Sequence, residues 1–347
     1  MKSQTRRNFL KTVGIGSAAF CLSGLSAFRQ KAFAATTHTG VTYLTPAYRA
    51  LMYGVNGFVD YLRQNHAEDV TIDFFDSGTL VNADSQVPAL RAGTIQFMVH
   101  TTSYITRSFP ILGITGLPGL CEELYEHGER LAMESPLWTL MNDQLAKDNL
   151  FMLTSGGGLI EPEYIWSGKN KVASLADLNG KRCRVVSYEA TESLKNFGIA
   201  GVRIPSSETY LALQRGTVDA LVANISTIMG RRLHEQLKYC YKLPVTGLAI
   251  PIFFLKNTWD NMPEKEKAAF WAAGKWYDEN DAKIVNGKFY PDEYWPAMKE
   301  AGLEIFEPTA EELTEFTEKS QPIWNWWKNE VGEEVGQKAI DLALGNA

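Results

Sequence analysis

Arg184 and Asn224 are the residues whose type and position best suit the binding of a small anion. Each falls at the predicted carboxyl end of a strand, in a stretch from Leu175 to Asn224 where strands and helices alternate. This alternation predicts parallel βαβ units, which bind ligands at the carboxyl ends of their strands. Their predicted positions therefore make Arg184 and Asn224 a candidate ligand-binding pair.

The elements that would position this pair lie in the same stretch. Ser174 and Asp177 have the spacing of a capping box, and Gly180 stands where a short helix would end. The pattern predicts strands at 181–186, 202–204 and 218–223, and helices at 189–198 and 207–215. We therefore expect Arg184 and Asn224 to share one edge of a parallel sheet.

These residues resemble the DctP-type solute-binding proteins of tripartite ATP-independent periplasmic (TRAP) transporters. The resemblance is carried by the ordered series Gly180-Lys181-Arg182-Cys183-Arg184-Val185, Pro205-x-x-Glu208-x-Tyr210, Leu213-Gln214-x-Gly216-x-Val218-Asp219 and Asn224, with further matches at Ala89–Ile95 and Asn257–Asp260. It implies an α/β fold, a two-lobed periplasmic-binding-protein clamshell with a long helix crossing both lobes. It also implies that Arg184 pairs with the ligand's carboxylate and that Asn224 helps to orient the ligand.

Chain length also indicates two lobes. About 313 residues follow the predicted export signal, which exceeds one ordinary core, and neither a repeat nor a low-complexity linker divides them. We predict lobe I at 35–157, with about 248–262 returning to it, and lobe II at 158–247, with C-terminal helices at about 300–347. The segment 263–300 is predicted to be the lobe-spanning helix. Gly156-Gly157-Gly158 is predicted to be the hinge between the lobes.

Other candidate ligand residues divide into hydroxyl-bearing and aromatic groups. They are Thr101, Thr102 and Ser103, and Tyr43, Tyr188 and Phe253. The three hydroxyls follow a predicted strand at 95–99, where they either bond a polar ligand or cap the next turn. The three aromatic residues are candidates for an apolar wall of the site. His100 is expected to be a packed or surface histidine rather than a base.

Glu161 and Glu163 depart from the family pattern just after the three glycines. Many members of the family have a second arginine there. If either glutamate, above all Glu163, faces the cleft, a second carboxylate on the ligand would lose its cation. A hydroxyl, amide, amine or aromatic group would then fit at the far end of the ligand. The alternative is that both glutamates face solvent.

The first 34 residues are typical of a cleaved export signal. Arg6-Arg7 followed by Phe-Leu-Lys, an apolar run, and Ala32-Phe33-Ala34 predict the twin-arginine route with cleavage near Ala34. A transmembrane anchor is the alternative, which the several Gly and Ser of the run disfavour. The predicted location is the periplasm. The predicted partners are the twin-arginine export machinery and, by resemblance, the membrane TRAP permease subunits.

Charge and cysteine content narrow the classes of partner. Cleavage of the signal would remove six of the 34 basic residues and no acidic residue. The remaining 28 basic and 40 acidic residues give a formal charge of −12. This charge argues against nucleic acid and against anionic membranes. Cys121, Cys183 and Cys240 lack the spacing of a zinc site, so no metal and no cofactor are predicted. Cys183 and Cys240 are either bridged or buried as free thiols. A monomer is the favoured state.

Catalytic motifs are missing from the sequence: it has no GxSxG elbow, no HExxH, no Walker loop and no Cys/His cluster. We therefore predict a binding protein and not an enzyme. The resemblance implies the solute-binding subunit of a TRAP transporter, which captures a small organic acid (carboxylate or sulfonate) by clamshell closure and delivers it to the permease. The alternatives are the binding protein of an ATP-driven transporter, or a sensor subunit, for a small anionic or aromatic ligand.

Overall fold

The structure is a computed structural model that describes residues 36–346. The predicted export signal, with Arg6-Arg7 and the cleavage site near Ala34, lies outside the described residues. Within the described part of the chain, no helix is both long enough and apolar enough to cross a membrane.

The described residues alternate between short strands and helices for most of their length. The strands are β1 (Thr36–Thr42), β2 (Val70–Phe75), β3 (Phe97–Val99), β4 (Leu150–Thr154), β5 (Glu163–Ser167), β6 (Arg182–Val185), β7 (Ala200–Arg203), β8 (Ala220–Ala223), β9 (Tyr239–Thr246), β10 (Ile252–Leu255) and β11 (Glu304–Phe306). The α-helices are α1 (Arg49–Asn65), α2 (Gln86–Arg91), α3 (Leu120–Glu126), α4 (Pro136–Leu145), α5 (Tyr188–Lys195), α6 (Thr209–Gln214), α7 (Ile225–Gly230), α8 (Lys256–Asp260), α9 (Glu264–Ile284), α10 (Trp295–Glu300), α11 (Ala310–Val331) and α12 (Glu333–Leu344).

The strands form two sheets, which define two lobes. Lobe I contains the order β2-β1-β3-β10-β4, in which β1, β2 and β3 are parallel and β10 runs antiparallel to both of its neighbours. Lobe II contains the order β11-β9-β5-β8-β6-β7, with parallel pairing of β8, β6 and β7. Strands β4, β5, β8 and β10 are buried along their whole length, as expected for sheets covered on both faces.

The chain passes from lobe I to lobe II through Gly156, Gly157 and Gly158, the predicted hinge. Their φ angles of 92°, 77° and 140° are all in the region that favours glycine. Asp278 of α9 accepts hydrogen bonds from the Gly157 N–H, at 3.1 Å, and from the Thr154 hydroxyl, at 2.6 Å. The crossing point is therefore fastened to α9.

The predicted lobe-spanning helix is one helical segment with a widened centre. Helix α9 packs on α1 and β4 of lobe I, and a π-helical segment, Val285–Tyr294, continues it into α10. Trp295 at the start of α10 stacks on Trp166 of lobe II, with ring centroids 5.7 Å apart. Pro291 lies inside the widened segment and has no N–H to donate. The helix thus contacts both lobes.

The C-terminal helices do not stay with lobe II, where the sequence prediction placed 300–347. Helix α11 packs on lobe II through Phe316, which stacks on Phe197 at 5.4 Å. The same helix reaches lobe I, where the Trp327 indole N–H donates to the Pro110 carbonyl at 2.7 Å. Helix α12 packs on α3 and α4 of lobe I. The apolar residues of α11 serve both lobes, which a one-lobe assignment misses.

Cys121, Cys183 and Cys240 are free and buried. Cys183 lies on β6 and Cys240 on β9, with β8 and β5 between them in the sheet. Three strand spacings of about 4.8 Å separate their backbones by roughly 14 Å, too far for a disulfide. Of the two alternatives, the structure shows the free thiols.

Candidate functional site

A narrow cavity lies where the two lobes meet. Its lining comes from lobe I (Tyr43, Tyr48, Leu51, Thr101, Ser103 and Tyr104), from lobe II (Glu163, Arg184, Val186, Ser206, Asn224 and Thr227) and from the two chain crossings (Ile160 and Leu248). Its volume is about 20 Å³, room for about one water molecule. An organic acid therefore needs the lobes to separate before it can enter.

Among the described residues that line this cavity, one is a cation, Arg184. Its side chain is buried, and the residue is 1% exposed. Its Nε–H donates to the Ile204 carbonyl at 2.9 Å, and Nη1 donates to the Val222 carbonyl at 3.0 Å. Both carbonyls lie at the carboxyl ends of strands next to β6. A guanidinium has five N–H donors, so three of them have no acceptor within residues 36–346. These two bonds aim the remaining donors and hold the group in place.

Two acidic residues of lobe II, Asp219 and Glu189, bond to partners other than Arg184. Asp219 accepts from the backbone N–H of Arg182 at 2.9 Å, and Glu189 accepts from the Thr106 hydroxyl at 2.9 Å. No carboxylate of the described residues lies within 4.0 Å of the Arg184 guanidinium. The structure therefore gives Arg184 no ion pair in residues 36–346.

Asn224 lines the cavity, but most of its side chain serves the protein. Its Oδ1 caps α7 by accepting from the Ser226 N–H at 2.8 Å, and it also accepts from the Tyr290 hydroxyl at 2.9 Å. Its Nδ2 donates to the Glu161 carbonyl at 2.5 Å. One amide N–H is left for a ligand. Tyr290 belongs to the widened segment of the spanning helix, so that helix positions Asn224.

Glu163, at the start of β5, lines the cavity and is 3% exposed. Its carboxyl group accepts no side-chain hydrogen bond from residues 36–346. Burial raises the pKa of Glu163 to about 7, against the opposing influence of the Arg184 charge and the backbone N–H of Asn224. The hypothesis that a glutamate faces the cleft is therefore consistent with the position of this residue.

Glu161 points away from the cavity and is held by its own partners. Its carboxylate accepts from the Trp295 indole N–H at 2.8 Å and from the Tyr164 hydroxyl at 3.0 Å. The Lys242 ammonium lies 3.7 Å away. Burial nevertheless raises the pKa of Glu161, with these partners opposing the shift. Neither glutamate faces solvent, so the alternative interpretation of the pair was wrong.

Lobe I contributes hydroxyl groups to the opposite wall. The Tyr43 hydroxyl and the Thr101 hydroxyl are hydrogen-bonded at 3.0 Å, and Ser103 follows in the same turn. His100 lies behind them: both of its ring nitrogens face backbone carbonyls, those of Thr101 and Ala83, each at 3.0 Å. Burial lowers the pKa of His100. It is a packed histidine, as expected.

Three predicted site residues do not line the cavity. The Thr102 hydroxyl bonds that of Thr115 at 2.9 Å and accepts from the Ala249 N–H at 3.2 Å, so it holds lobe I together. Phe253 is fully buried in β10 between β3 and β4. Tyr188 is 38% exposed and packs on Trp326, with ring centroids 4.9 Å apart. Turn geometry directs the Thr102 side chain into lobe I, and the Phe253 side chain is buried because its strand lies inside the sheet. Tyr188 lies outside the cavity because it is on the outer face of α5.

Several residues that line the cavity were not predicted from the sequence: Tyr48, Tyr104, Ser206 and Thr227. Ser206 follows β7 and Thr227 follows β8, so the rule used for Arg184 and Asn224 would have found them. Tyr48 and Tyr104 follow β1 and β3 at a distance of several residues, which gives a weaker signal.

Hydrogen bonds join the lobes around the cavity. The Tyr104 hydroxyl accepts from the Ser206 N–H at 2.8 Å, and the Tyr48 hydroxyl accepts from the Arg231 Nε–H at 3.0 Å. On the rim, Arg203 pairs with Asp84 at 2.9 Å. Thr106 of lobe I donates to Glu189 of lobe II. These bonds form only when the lobes are together, so they favour the closed arrangement seen here.

Glu189 makes the stability of the fold sensitive to pH. It is 1% exposed, and burial raises its pKa to about 7. In the unfolded chain its pKa is near the ordinary 4.5. The folded state thus binds the proton more tightly, and the free energy of unfolding falls as pH rises from about 4.5 to about 7, by up to about 3 kcal/mol for this group.

We therefore expect Glu189→Gln to remove this part of the pH dependence, since the amide oxygen can still accept from Thr106. Urea unfolding of both proteins at pH 5 and pH 8 measures it. The variant should gain stability relative to the parent as the pH rises, because only the parent carries a buried charge at pH 8. Equal pH dependence of the two proteins would contradict the assignment.

A comparison with known families identifies the group to which the chain belongs. A sequence model of the DctP family, described as bacterial extracellular solute-binding protein, family 7, matches residues 42–330. The chain belongs to this family. The predicted resemblance is therefore confirmed, and the chain is a solute-binding protein by family.

Curated relatives of this DctP-family chain match over most of their own length. It is 20% identical over 294 residues to the C4-dicarboxylate-binding protein DctB of Bacillus subtilis, covering 83% of this chain and 81% of that protein. It is 22% identical over 303 residues to the 2,3-diketo-L-gulonate-binding periplasmic protein YiaO of Escherichia coli, covering 83% and 86%.

Solved structures share the fold of this DctP-family chain. DctP7, a Bordetella pertussis extracytoplasmic solute receptor binding pyroglutamic acid, matches with a TM-score of 0.77 at 20% identity, covering 89% of this chain and 99% of that chain. A TRAP periplasmic solute-binding protein from Shewanella oneidensis with bound succinate matches with a TM-score of 0.74 at 15% identity, covering 89% and 100%. The predicted two-lobed α/β fold is confirmed.

Proposed function

We propose that the chain is the extracytoplasmic receptor of a TRAP transporter and that it binds a small organic acid through Arg184. One observation carries this proposal: a buried guanidinium, fixed by two carbonyls and with three N–H groups left without an acceptor in residues 36–346, lines a cavity between two lobes. A carboxylate or sulfonate satisfies such a group with two parallel hydrogen bonds. Leaving the buried cation unpaired would be costly.

Clamshell closure supplies the mechanism. The ligand enters when the lobes are apart. It touches Arg184 and Asn224 on one wall and Tyr43, Thr101 and Ser103 on the other only when the lobes close around it, with the walls farther apart than in the arrangement described above. It therefore stabilises the closed form by its differential affinity for the two forms. The closed receptor then carries the acid to the permease subunits in the membrane.

The family match and the known ligands of relatives support a carboxylate as cargo. Proteins of this family and fold include receptors described as binding C4-dicarboxylates, pyroglutamic acid and succinate. The departure at Glu163 sets this chain apart from a plain dicarboxylate receptor. A receptor for an ATP-driven transporter uses the same closure, but the match to DctP along residues 42–330 favours the TRAP assignment.

Calorimetry with paired acids and amides tests the proposal. Monocarboxylic acids of three to five carbons should bind the purified mature chain, and the corresponding primary amides should bind at least about ten-fold more weakly, because hydrogen bonds to a charged group contribute about 1.5–3 kcal/mol. Equal affinities for acid and amide, or no binding of any acid, would contradict the proposal.

A further inference from the structure

Glu163 is the carboxyl group among the described residues that line the cavity, and it faces the same space as Arg184. Other buried glutamates of the chain have donors. Glu161 is bonded by Trp295 and Tyr164, and Glu189 by Thr106. The Glu163 carboxyl group has no side-chain donor within residues 36–346. Apart from the backbone N–H of Asn224, no donor of the described residues acts on this carboxyl group, so its position at a binding cavity leaves it free to accept from a partner supplied from outside the chain.

Sheet topology fixes the separation of the two charged groups. Glu163 begins β5 and Arg184 lies on β6, with β8 between them. Arg184 pairs with Leu221 of β8 and Glu163 lies opposite Asn224, so two strand spacings across the sheet and three residues along it place their backbones about 14 Å apart. Asn224, which directly follows β8, lies between them. Side chains that converge from strands this far apart can hold the two ends of a molecule of a few carbon atoms.

We propose that the ligand is a monocarboxylic acid with a hydrogen-bond donor, an ammonium, amide N–H or hydroxyl group, at its far end, and that Glu163 accepts this donor while Arg184 holds the carboxylate. This inference rests on the proposed function and adds the chemical class of the group at the far end of the ligand. It excludes a second carboxylate at that end, since two carboxylates would face each other in a space of low polarity.

The pH dependence of ligand binding can report on Glu163, because the other groups around it do not change charge near neutral pH. Arg184 is the nearby cation, and burial raises the pKa values of Tyr43 and Tyr104 on the opposite wall. His100, behind that wall, has a lowered pKa. Glu163, with its pKa of about 7, is thus the group of this wall that changes charge near neutral pH. An ammonium ligand should bind more tightly as the pH rises through this range.

Four acids with one carbon skeleton test the inference: 4-aminobutanoate, 4-hydroxybutanoate, butanoate and succinate. The corresponding sets with three and five carbons are measured too, by calorimetry at pH 8, where Glu163 is ionised. In the set that fits, the amino and hydroxy acids should bind more tightly than the unsubstituted acid. The dicarboxylate should bind at least about ten-fold more weakly than the amino acid.

Two variants complete the experiment. Glu163→Gln should reduce the preference for the amino acid over the dicarboxylate at least about ten-fold and remove the pH dependence. Glu189→Gln is the matched control for this ratio, because Glu189 is similarly buried and has a similar pKa but does not line the cavity. Its bond to Thr106 joins the lobes, so any effect on closure is common to all the acids and cancels in the ratio. This variant should leave the ratio of affinities unchanged.

The outcomes separate this inference from the proposed function. If succinate or its homologues bind as tightly as the amino acids, or if Glu163→Gln leaves the ratio unchanged, the inference is overturned while acid binding stands. If none of the twelve acids binds the parent protein, the proposed function is overturned and the inference falls with it.

Discussion

Replacing Arg184 by alanine is expected to weaken acid binding between about thirty-fold and a few thousand-fold. Loss of one partner of a buried, hydrogen-bonded charge pair costs about 2–5 kcal/mol of binding free energy. The loss has two sources. The ligand's carboxylate would have no cation, and Glu163 would lose the charge that opposes the rise of its pKa. Calorimetry with the acid that binds the parent most tightly measures the effect.

The same substitution is also expected to lower the stability of the protein without ligand. The Ile204 and Val222 carbonyls lose their donors when the guanidinium is removed, at about 1–3 kcal/mol for a buried group left unsatisfied. Arg184→Lys is therefore the sharper variant, since it keeps the charge but not the planar fork. It should still weaken binding markedly.

Arg182→Ala provides the matched control for Arg184. Arg182 lies on the same strand, but its side chain is half-exposed and pairs with Asp219. An exposed pair of this kind contributes about 0–1 kcal/mol, and Arg182 does not line the cavity. Binding should be unchanged in this variant. Acid affinity that survives both substitutions of Arg184 would remove that residue from the site.

Gly157→Ala is expected to destabilise the fold by more than about 3 kcal/mol, among the largest effects of a one-carbon change. A Cβ at this position would lie 1.8 Å from the backbone oxygen of Asp278 in α9. The φ angle of 77° adds strain for any residue with a Cβ. Both the hinge and α9 would have to move, because the clash involves backbone on each side.

Gly93→Ala separates the strain of the positive φ angle from the clash with α9. Gly93 has a similar φ angle of 72°, but no atom of the described residues lies within 4 Å of the position that a Cβ would take there. Its substitution should cost only the conformational part, about 1–2 kcal/mol. Urea unfolding of both variants and the parent gives the comparison. Equal losses would mean that the contact between hinge and α9 contributes nothing.

Much of the fold follows from local patterns in the chain. The strands at β3, β6 and β8 were predicted within about two residues, because each is a short apolar or β-branched run. Strand β5 was missed. It begins at Glu163, just after a proline, and it is buried on both faces, so it shows neither strand composition at its start nor alternation.

The site was predictable where one rule applied. Arg184, Asn224, Thr101 and Ser103 follow from the carboxyl-end rule, and the structure brings all four to the cavity. The contribution of Tyr290 was not predictable, because its bond to Asn224 joins residues 66 positions apart through the spanning helix. Tyr188 shows the converse: proximity to Arg184 in the chain does not place a helical side chain in the site.

The separated cysteines bear on the conditions under which residues 36–346 can fold. Cys121, Cys183 and Cys240 are sealed in the core, and burial raises the pKa of Cys183 to about 12, so this thiol remains protonated and unreactive. No disulfide among residues 36–346 has to form for the fold to be complete. Folding of this part of the chain therefore does not require an oxidising compartment.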